Sequence, residues 1–161
     1  MKSESDIMLL LAGMRPVLIE GEFVYAMVAD LRGIEAKDTL CIFQESEGTT
    51  LICSRAYADR TGLRYEACFR QITLSVHSSL QAVGFLAAVS GALAQGGIPC
   101  NTVSAFFHDH LFVPSAQASK AIDILTDLSA QLTEPNQALQ HNDPSCHESC
   151  LRTPRASQGR G

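Results

Sequence analysis

Gln71-Ile72-Thr73-Leu74-Ser75-Val76-His77 alternates the apolar residues Ile72, Leu74 and Val76 with Thr73, Ser75 and His77. A period of two places one set on each face, so the stretch reads as a half-buried strand. From Ser78-Ser79 to Gln95 the spacing becomes helical, through Leu80, Val83, Ala87, Leu93 and Ala94. Ser79 suits the N-cap and Gly96-Gly97 the stop. Phe85, Leu86, Ala88, Val89 and Ala92 make the rest of this helix apolar too, which predicts cover on more than one side. Strand-like Thr102 to Phe107, a turn at His108-Asp109-His110 and strand-like Leu111-Phe112-Val113 follow, and Pro114 ends the hairpin. Ser115 then caps a helix with Ala118, Ala121, Ile122, Leu125, Leu128 and Leu132 in one stripe, opposite Lys120, Asp123, Asp127 and Gln131. From Phe69 onward the order is strand, helix, strand, strand, helix.

The preceding half holds similar pieces. A short helix over Asp6 to Met14 must end before Pro16, because the residue ahead of a proline is driven out of helical conformation. Strands are expected at Glu22 to Ala29, Thr39 to Gln44 and Thr49 to Ser54. The last two flank Glu45-Ser46-Glu47-Gly48, a hairpin turn with Gly48 at a position suited to positive φ. A helix over Arg55 to Arg60 closes at Gly62. Two hairpins, each followed by a helix, suggest two related halves.

Composition narrows the function classes. The chain has 161 residues and a mass of 17.4 kDa, enough for one domain or two small ones. Its net charge of -5, with no basic cluster, argues against nucleic acid as a partner, and no apolar run is long enough for a membrane span. Four cysteines, at 41, 53, 68 and 100, sit inside the body, most of them in apolar stretches such as Thr39-Leu40-Cys41-Ile42-Phe43, and read as reduced core residues of a cytoplasmic protein. After Leu132 the composition shifts: 133–161 carries three of the six prolines and few large apolar residues, and is expected to be a disordered tail. Cys146 and Cys150 in that tail are spaced Cys-x3-Cys without a second pair, which reads as a free thiol pair.

Several residues invite a chemical reading. Ser78 and Ser79 end a strand and open a helix, so they meet the positive end of a helix dipole, where a carboxylate is favoured; an ordinary N-cap explains Ser79 equally. Gly84 admits either a ligand or a tightly packed helix. Glu45 and Glu47 are either solvated turn carboxylates or acceptors for a ligand ammonium group. His108 and His110 flank Asp109 and form a weak metal candidate, since no third and fourth ligand is evident. No nucleophile elbow, phosphate loop, dinucleotide fingerprint or zinc-protease motif is present, so neither a cofactor nor an enzyme activity is expected.

The run His77-Ser78-Ser79-Leu80-Gln81-Ala82-Val83-Gly84-Phe85 resembles a family of uncharacterised bacterial proteins made of two tandem ACT-like domains. The resemblance extends to Leu10-Leu11-Ala12-Gly13-Met14-Arg15-Pro16, to Phe43-Gln44-Glu45-Ser46-Glu47-Gly48-Thr49-Thr50-Leu51, and to Cys100-Asn101 followed by His108-Asp109-His110-Leu111-Phe112-Val113-Pro114. It covers roughly 7–132, and by topology it reaches the ACT modules of aspartate kinases and the CASTOR-type arginine sensors. What it implies is an α+β fold of two ferredoxin-like βαββαβ domains with antiparallel sheets, over 1–68 and 69–132. It also implies a small ligand, usually an amino acid, bound at the seam between the modules. The second half has no closing strand of its own, so a strand of the first half, Glu22 to Ala29, is expected to complete its sheet.

The sequence therefore points to a non-catalytic small-molecule sensor with His77, Ser78, Ser79, Val83, Gly84, Glu45 and Glu47 as candidate ligand contacts. The rival readings are a protein-interaction module or homodimer without a ligand, and a metal-dependent enzyme built on His108 and His110.

Overall fold

The computed structural model describes residues 4–76 and 82–133. Helix α1 (Glu4–Gly13) leads into a three-residue strand β1 (Pro16–Leu18) and then β2 (Phe23–Val28). A 3-10 turn (Ala36–Asp38) precedes the hairpin of β3 (Thr39–Gln44) and β4 (Thr49–Ser54), which is followed by α2 (Arg55–Thr61). Strand β5 (Phe69–Leu74), helix α3 (Phe85–Gln95), the hairpin β6 (Asn101–Ser104) and β7 (Asp109–Pro114), and helix α4 (Ala118–Thr133) make the second half. A 3-10 turn, Ser115–Gln117, joins β7 to α4. All seven strands form one antiparallel sheet in the order β3-β4-β2-β5-β7-β6, with β1 also on β5.

The pattern of period two decides what each face carries. Ile72 and Leu74 of β5 pair with Leu111 and Asp109 of β7. On that face the apolar residues pack with Val89 and Leu93 of α3 and Ala121 and Leu125 of α4 into the main core. Burying each of the valine, leucine and isoleucine side chains contributes about 1.5–3 kcal/mol, before the entropy of ordering it is subtracted. α1 completes the layer with Leu11 and Met14. Ser129 Oγ of α4 donates to the carbonyls of Ala12 and Met14 at 3.1 and 3.0 Å, so the end of α1 is tied to the second half.

β1 is the strand that completes the second half's sheet, with Pro16, Val17 and Leu18 opposite Leu74, Thr73 and Ile72. β2, the strand expected there, meets β5 only at the pair Phe23–Phe69. The reason is geometric: β2 spends its length on β4, and only the short stretch beyond Pro16 lies alongside the upper part of β5. The first half thus contributes α1 and β1 to the second, and the halves interlock.

Several boundaries differ from the sequence reading. β5 starts at Phe69 and ends at Leu74, three residues short of the expected stretch, and Ser115 opens the 3-10 turn ahead of α4 where it was expected to cap the helix. Helix α3 begins at Phe85, and Ala82, Val83 and Gly84 lie outside it; Gly84 is its N-cap at φ 94°, a left-handed conformation that the helix cannot include. The turn of the second hairpin spans 105–108, where the Ala105 N–H donates to the His108 carbonyl at 3.0 Å, and Asp109 and His110 belong to β7. Asp109 is buried and accepts from Ser104 Oγ at 2.5 Å, which fixes it in the ladder, while Phe106 and Phe107 take the exposed turn positions. His77, Ser78, Ser79 and the segment beyond Thr133, with its proposed disordered character, lie outside the described residues. No helix among the described residues is long and apolar enough to cross a membrane.

Candidate functional site

The face of the sheet opposite the helices carries Phe23, Tyr25 and Met27 of β2, Cys41 and Phe43 of β3, Phe69 of β5 and Phe112 of β7, by the alternation of their strands. Tyr25 stacks edge-on against Phe69 and Phe112 with ring centroids 5.3 and 5.8 Å apart, and Phe23 does the same to Phe112 at 6.1 Å. These contacts join strands of both halves, so the open face is curved. β2 and β6 are separated by two strands in the sheet order, yet both line the same hollow space.

Two adjoining hollows lie in that curve and share Tyr25, Met27 and Asn101. One, of about 950 Å³, is bounded by the connection from α2 to β5, including Arg64 and Glu66. The other, of about 890 Å³, lies between Cys41, Phe43, Glu45 and Ile52 of the first half and residues 100–104 of the second. Both volumes fall in the range of small-molecule sites, about 300–1,000 Å³.

Local structure explains the lining. Ser54 Oγ accepts from the Tyr57 N–H at 3.2 Å to start α2, and Gly62 at φ 70° ends it. The chain beyond alternates: Leu63 and Tyr65 pack inward on the small core of Val24, Cys53, Tyr57 and Ala58, which leaves Arg64 and Glu66 exposed at the rim. Tyr65 is held by its hydroxyl, which donates to Asp59 at 2.7 Å, and Asp59 in turn meets Arg55 at 3.5 Å. Arg55 also donates to Glu22 at 2.8 Å, which holds the Glu22 carboxyl below its ordinary pKa. Arg64 and Glu66 make no ion pair among the described residues.

Tyr25 is the centre of the floor. Burial pushes its phenol up to about 12, and the nearby Cys41 and Cys100 thiols add to the effect, so the hydroxyl stays protonated and can donate. Burial also raises the Cys100 thiol to about 11, which keeps it neutral. Neither the Tyr25 hydroxyl nor the Asn101 amide has a hydrogen-bond partner among the described residues.

The residues singled out from the sequence are dispersed. Glu45 lines the second hollow, where its carboxylate accepts from Thr50 Oγ1 at 3.4 Å. Glu47 does not line it; its carboxylate accepts from Ser46 Oγ at 2.6 Å, which holds its pKa down. Val83 is exposed, and Gly84 faces α1, where an added Cβ would stand 3.0 Å from Ile7 Cδ1. His110 Nδ1 lies 3.0 Å from Thr73 Oγ1 and 3.1 Å from Gln71 Nε2. Burial lowers its pKa, and the charge of His108 lowers it further. His108 Nδ1 instead faces the Val76 carbonyl at 3.4 Å, and among the described residues no three metal-ligating side chains converge. Tyr25, Arg64, Glu66 and Asn101 escaped the sequence reading. One signal for Tyr25 was available: Phe23-Val24-Tyr25-Ala26-Met27-Val28 is apolar at every position, which asks for cover on both faces.

An ACT-domain model matches residues 2–70, and a second one matches 68–127. The chain is a tandem ACT-domain protein. A crystal structure of a Vibrio cholerae protein of unknown function is 36% identical to it, with a TM-score of 0.71, covering 78% of this chain and 97% of that one. An Agrobacterium tumefaciens protein is 20% identical with a TM-score of 0.59, covering 72% and 89%. The regulatory subunit of aspartate kinase from Thermus thermophilus shares the fold at 12% identity, with a TM-score of 0.52 and coverage of 70% and 95%. No curated protein matches the chain. ACT domains are regulatory modules that bind small molecules such as amino acids and often associate, and this chain carries two of them in tandem over residues 2–127.

Proposed function

We propose that the chain is a non-catalytic sensor that binds an amino acid at the seam between its two ACT domains and transmits occupancy through the packing of those domains. The observation that carries this reading is the groove on the open sheet face, which takes walls from both halves and bears a cation and two carboxylates at its rims. A ligand held by both walls favours the arrangement in which they face each other, and it shifts that equilibrium by its differential affinity. The interlock of α1 and β1 with the second half provides a mechanical path, since the crossover 19–22 is tied to both sides: Arg70 Nη2 donates to the Ile19 carbonyl at 2.9 Å, and Arg55 pairs with Glu22.

Thermal unfolding of the full chain against each protein amino acid tests this. A ligand at about 100 times its Kd adds roughly 2.7 kcal/mol, a rise of several degrees for a body of this size. A flat screen at millimolar concentrations rejects the sensor reading. The variant Ser79→Leu tests the residue expected from the sequence apart from the groove: loss of the shift in a folded protein assigns Ser79 a part in binding.

A second reading rests on β3, an edge strand without a charge or proline, on which Leu40, Ile42 and Phe43 are exposed. Such an edge pairs readily with another strand, and light scattering over a concentration series that shows only monomer removes self-association.

A further inference from the structure

Resting on the amino-acid reading above, we propose that the groove selects an α-amino acid with a large neutral apolar side chain, held at its charged end by Arg64 and Glu66 and along its side chain by Tyr25, Met27 and Ile52. The chemistry of the lining separates into two parts. At the rim of the first hollow, Arg64 and Glu66 stand two residues apart in one connection, both exposed. A carboxylate and an ammonium on one carbon match that pair: the guanidinium donates to the carboxylate and the Glu66 carboxylate accepts from the ammonium.

Beyond the rim, the shared floor of Tyr25 and Met27 leads into the second hollow past Cys41, Ile52 and Val103. Two of these groups are thiols or thioethers, one is aromatic, and two are branched aliphatics; this part of the wall receives apolar surface, and Glu45, Thr50, Thr102 and Ser104 form its polar remainder. An exposed ion pair in water is weak, so the charged rim orients the ligand and the buried apolar contact discriminates among side chains. The Tyr25 hydroxyl and the Asn101 amide, unpartnered among the described residues, supply polar contacts beside the head group.

Charge disfavours an acidic ligand, and desolvation disfavours a basic one. Among the described residues, Arg64 is the one cationic side chain lining the two hollows, whereas Glu45 and Glu66 are both anionic. An acidic ligand brings two carboxylates to one guanidinium and meets like charge at both rims. A basic ligand drags an ammonium or guanidinium along the apolar part of the floor before it reaches Glu45, which lies at an exposed hairpin where solvent screens the attraction.

The chain has three tyrosines and no tryptophan, and Tyr25 and Tyr65 both line the first hollow, so tyrosine fluorescence reports directly on it. The experiment titrates the full-length protein with leucine, methionine, lysine and aspartate while following that signal and the melting temperature. Leucine and methionine are expected to give a saturable response, and lysine and aspartate to need at least about tenfold more ligand. Arg64→Ala, at an exposed loop position, is expected to weaken leucine by about two- to fivefold, the size of a solvent-exposed ion pair. Tightest binding by lysine or aspartate overturns the proposed class and leaves the amino-acid reading standing. A leucine response unchanged in Arg64→Ala overturns the placement. No saturable response and no melting shift with any amino acid overturns both.

Discussion

The two halves share a sheet but are covered unequally. The second half is roofed by α1, α3 and α4 over a core that includes Leu74, Phe85, Leu93, Leu111 and Leu125, all buried. The first half has one seven-residue helix, α2, over Val24, Cys53, Tyr57 and Ala58. The 3-10 turn Ala36–Asp38 between β2 and β3 buries nothing. The difference teaches that the first half is not self-sufficient: it gives α1 and β1 away and draws its rigidity from the sheet it shares.

The largest test of this asymmetry is truncation in the thick layer. Leu125→Ala, at a fully buried position of α4, is expected to cost about 2–5 kcal/mol in urea unfolding of the whole chain, in a single transition seen from both halves. Two separate transitions contradict the interlock. Next comes the arm that crosses over. Gly84→Ala forces a side chain into a left-handed residue and against Ile7, at a cost of about 1–3 kcal/mol, and should loosen α1 first, seen as faster amide exchange over 7–13. In the thin layer, Ser54→Ala removes the cap of α2 at a cost of about 1 kcal/mol. It should raise exchange in 55–68 more than in α3 or α4.

The smallest effect is a pH dependence. Burial, then the charge of His108, holds His110 below its ordinary 6.5 in the folded state. Above that value the ring is neutral in both states and contributes no slope. As pH falls from 6.5 toward the lower folded value, the unfolded chain takes up its proton first, so stability is lost across that window. His110→Gln should flatten this part of the profile of unfolding free energy against pH, and an unchanged profile contradicts the assignment.

Much of this was legible in the sequence, and the failures have physical causes. The hairpin of β3 and β4 was readable to the residue because the turn chemistry of Ser46–Gly48 and the strand alternation agree. The stripe of α4 was equally plain. The start of α3 was not, because Val83 extends the apolar spacing ahead of Gly84, and only the φ of that glycine ends the helix. β1 was missed because Pro16 reads as a breaker, whereas an edge position tolerates a residue without an N–H. The second hairpin's turn was misplaced because Phe106 and Phe107 look like strand residues and are exposed. Of the described residues that line the groove, Glu45 is the one the sequence reading had singled out as a ligand contact. The groove is assembled from β2, β3, the connection 63–67 and β6, which lie far apart in the chain and meet through the curvature of the sheet. Alternation within single strands carries no record of that.

The central claim is that the helix-covered face is structural and the open face binds. Amide hydrogen exchange of the full-length protein with and without saturating leucine addresses it most directly. The account predicts slowed exchange in β2, in 63–67 and in β6, with α3 and α4 unchanged; protection confined to the helices, or none anywhere, contradicts it.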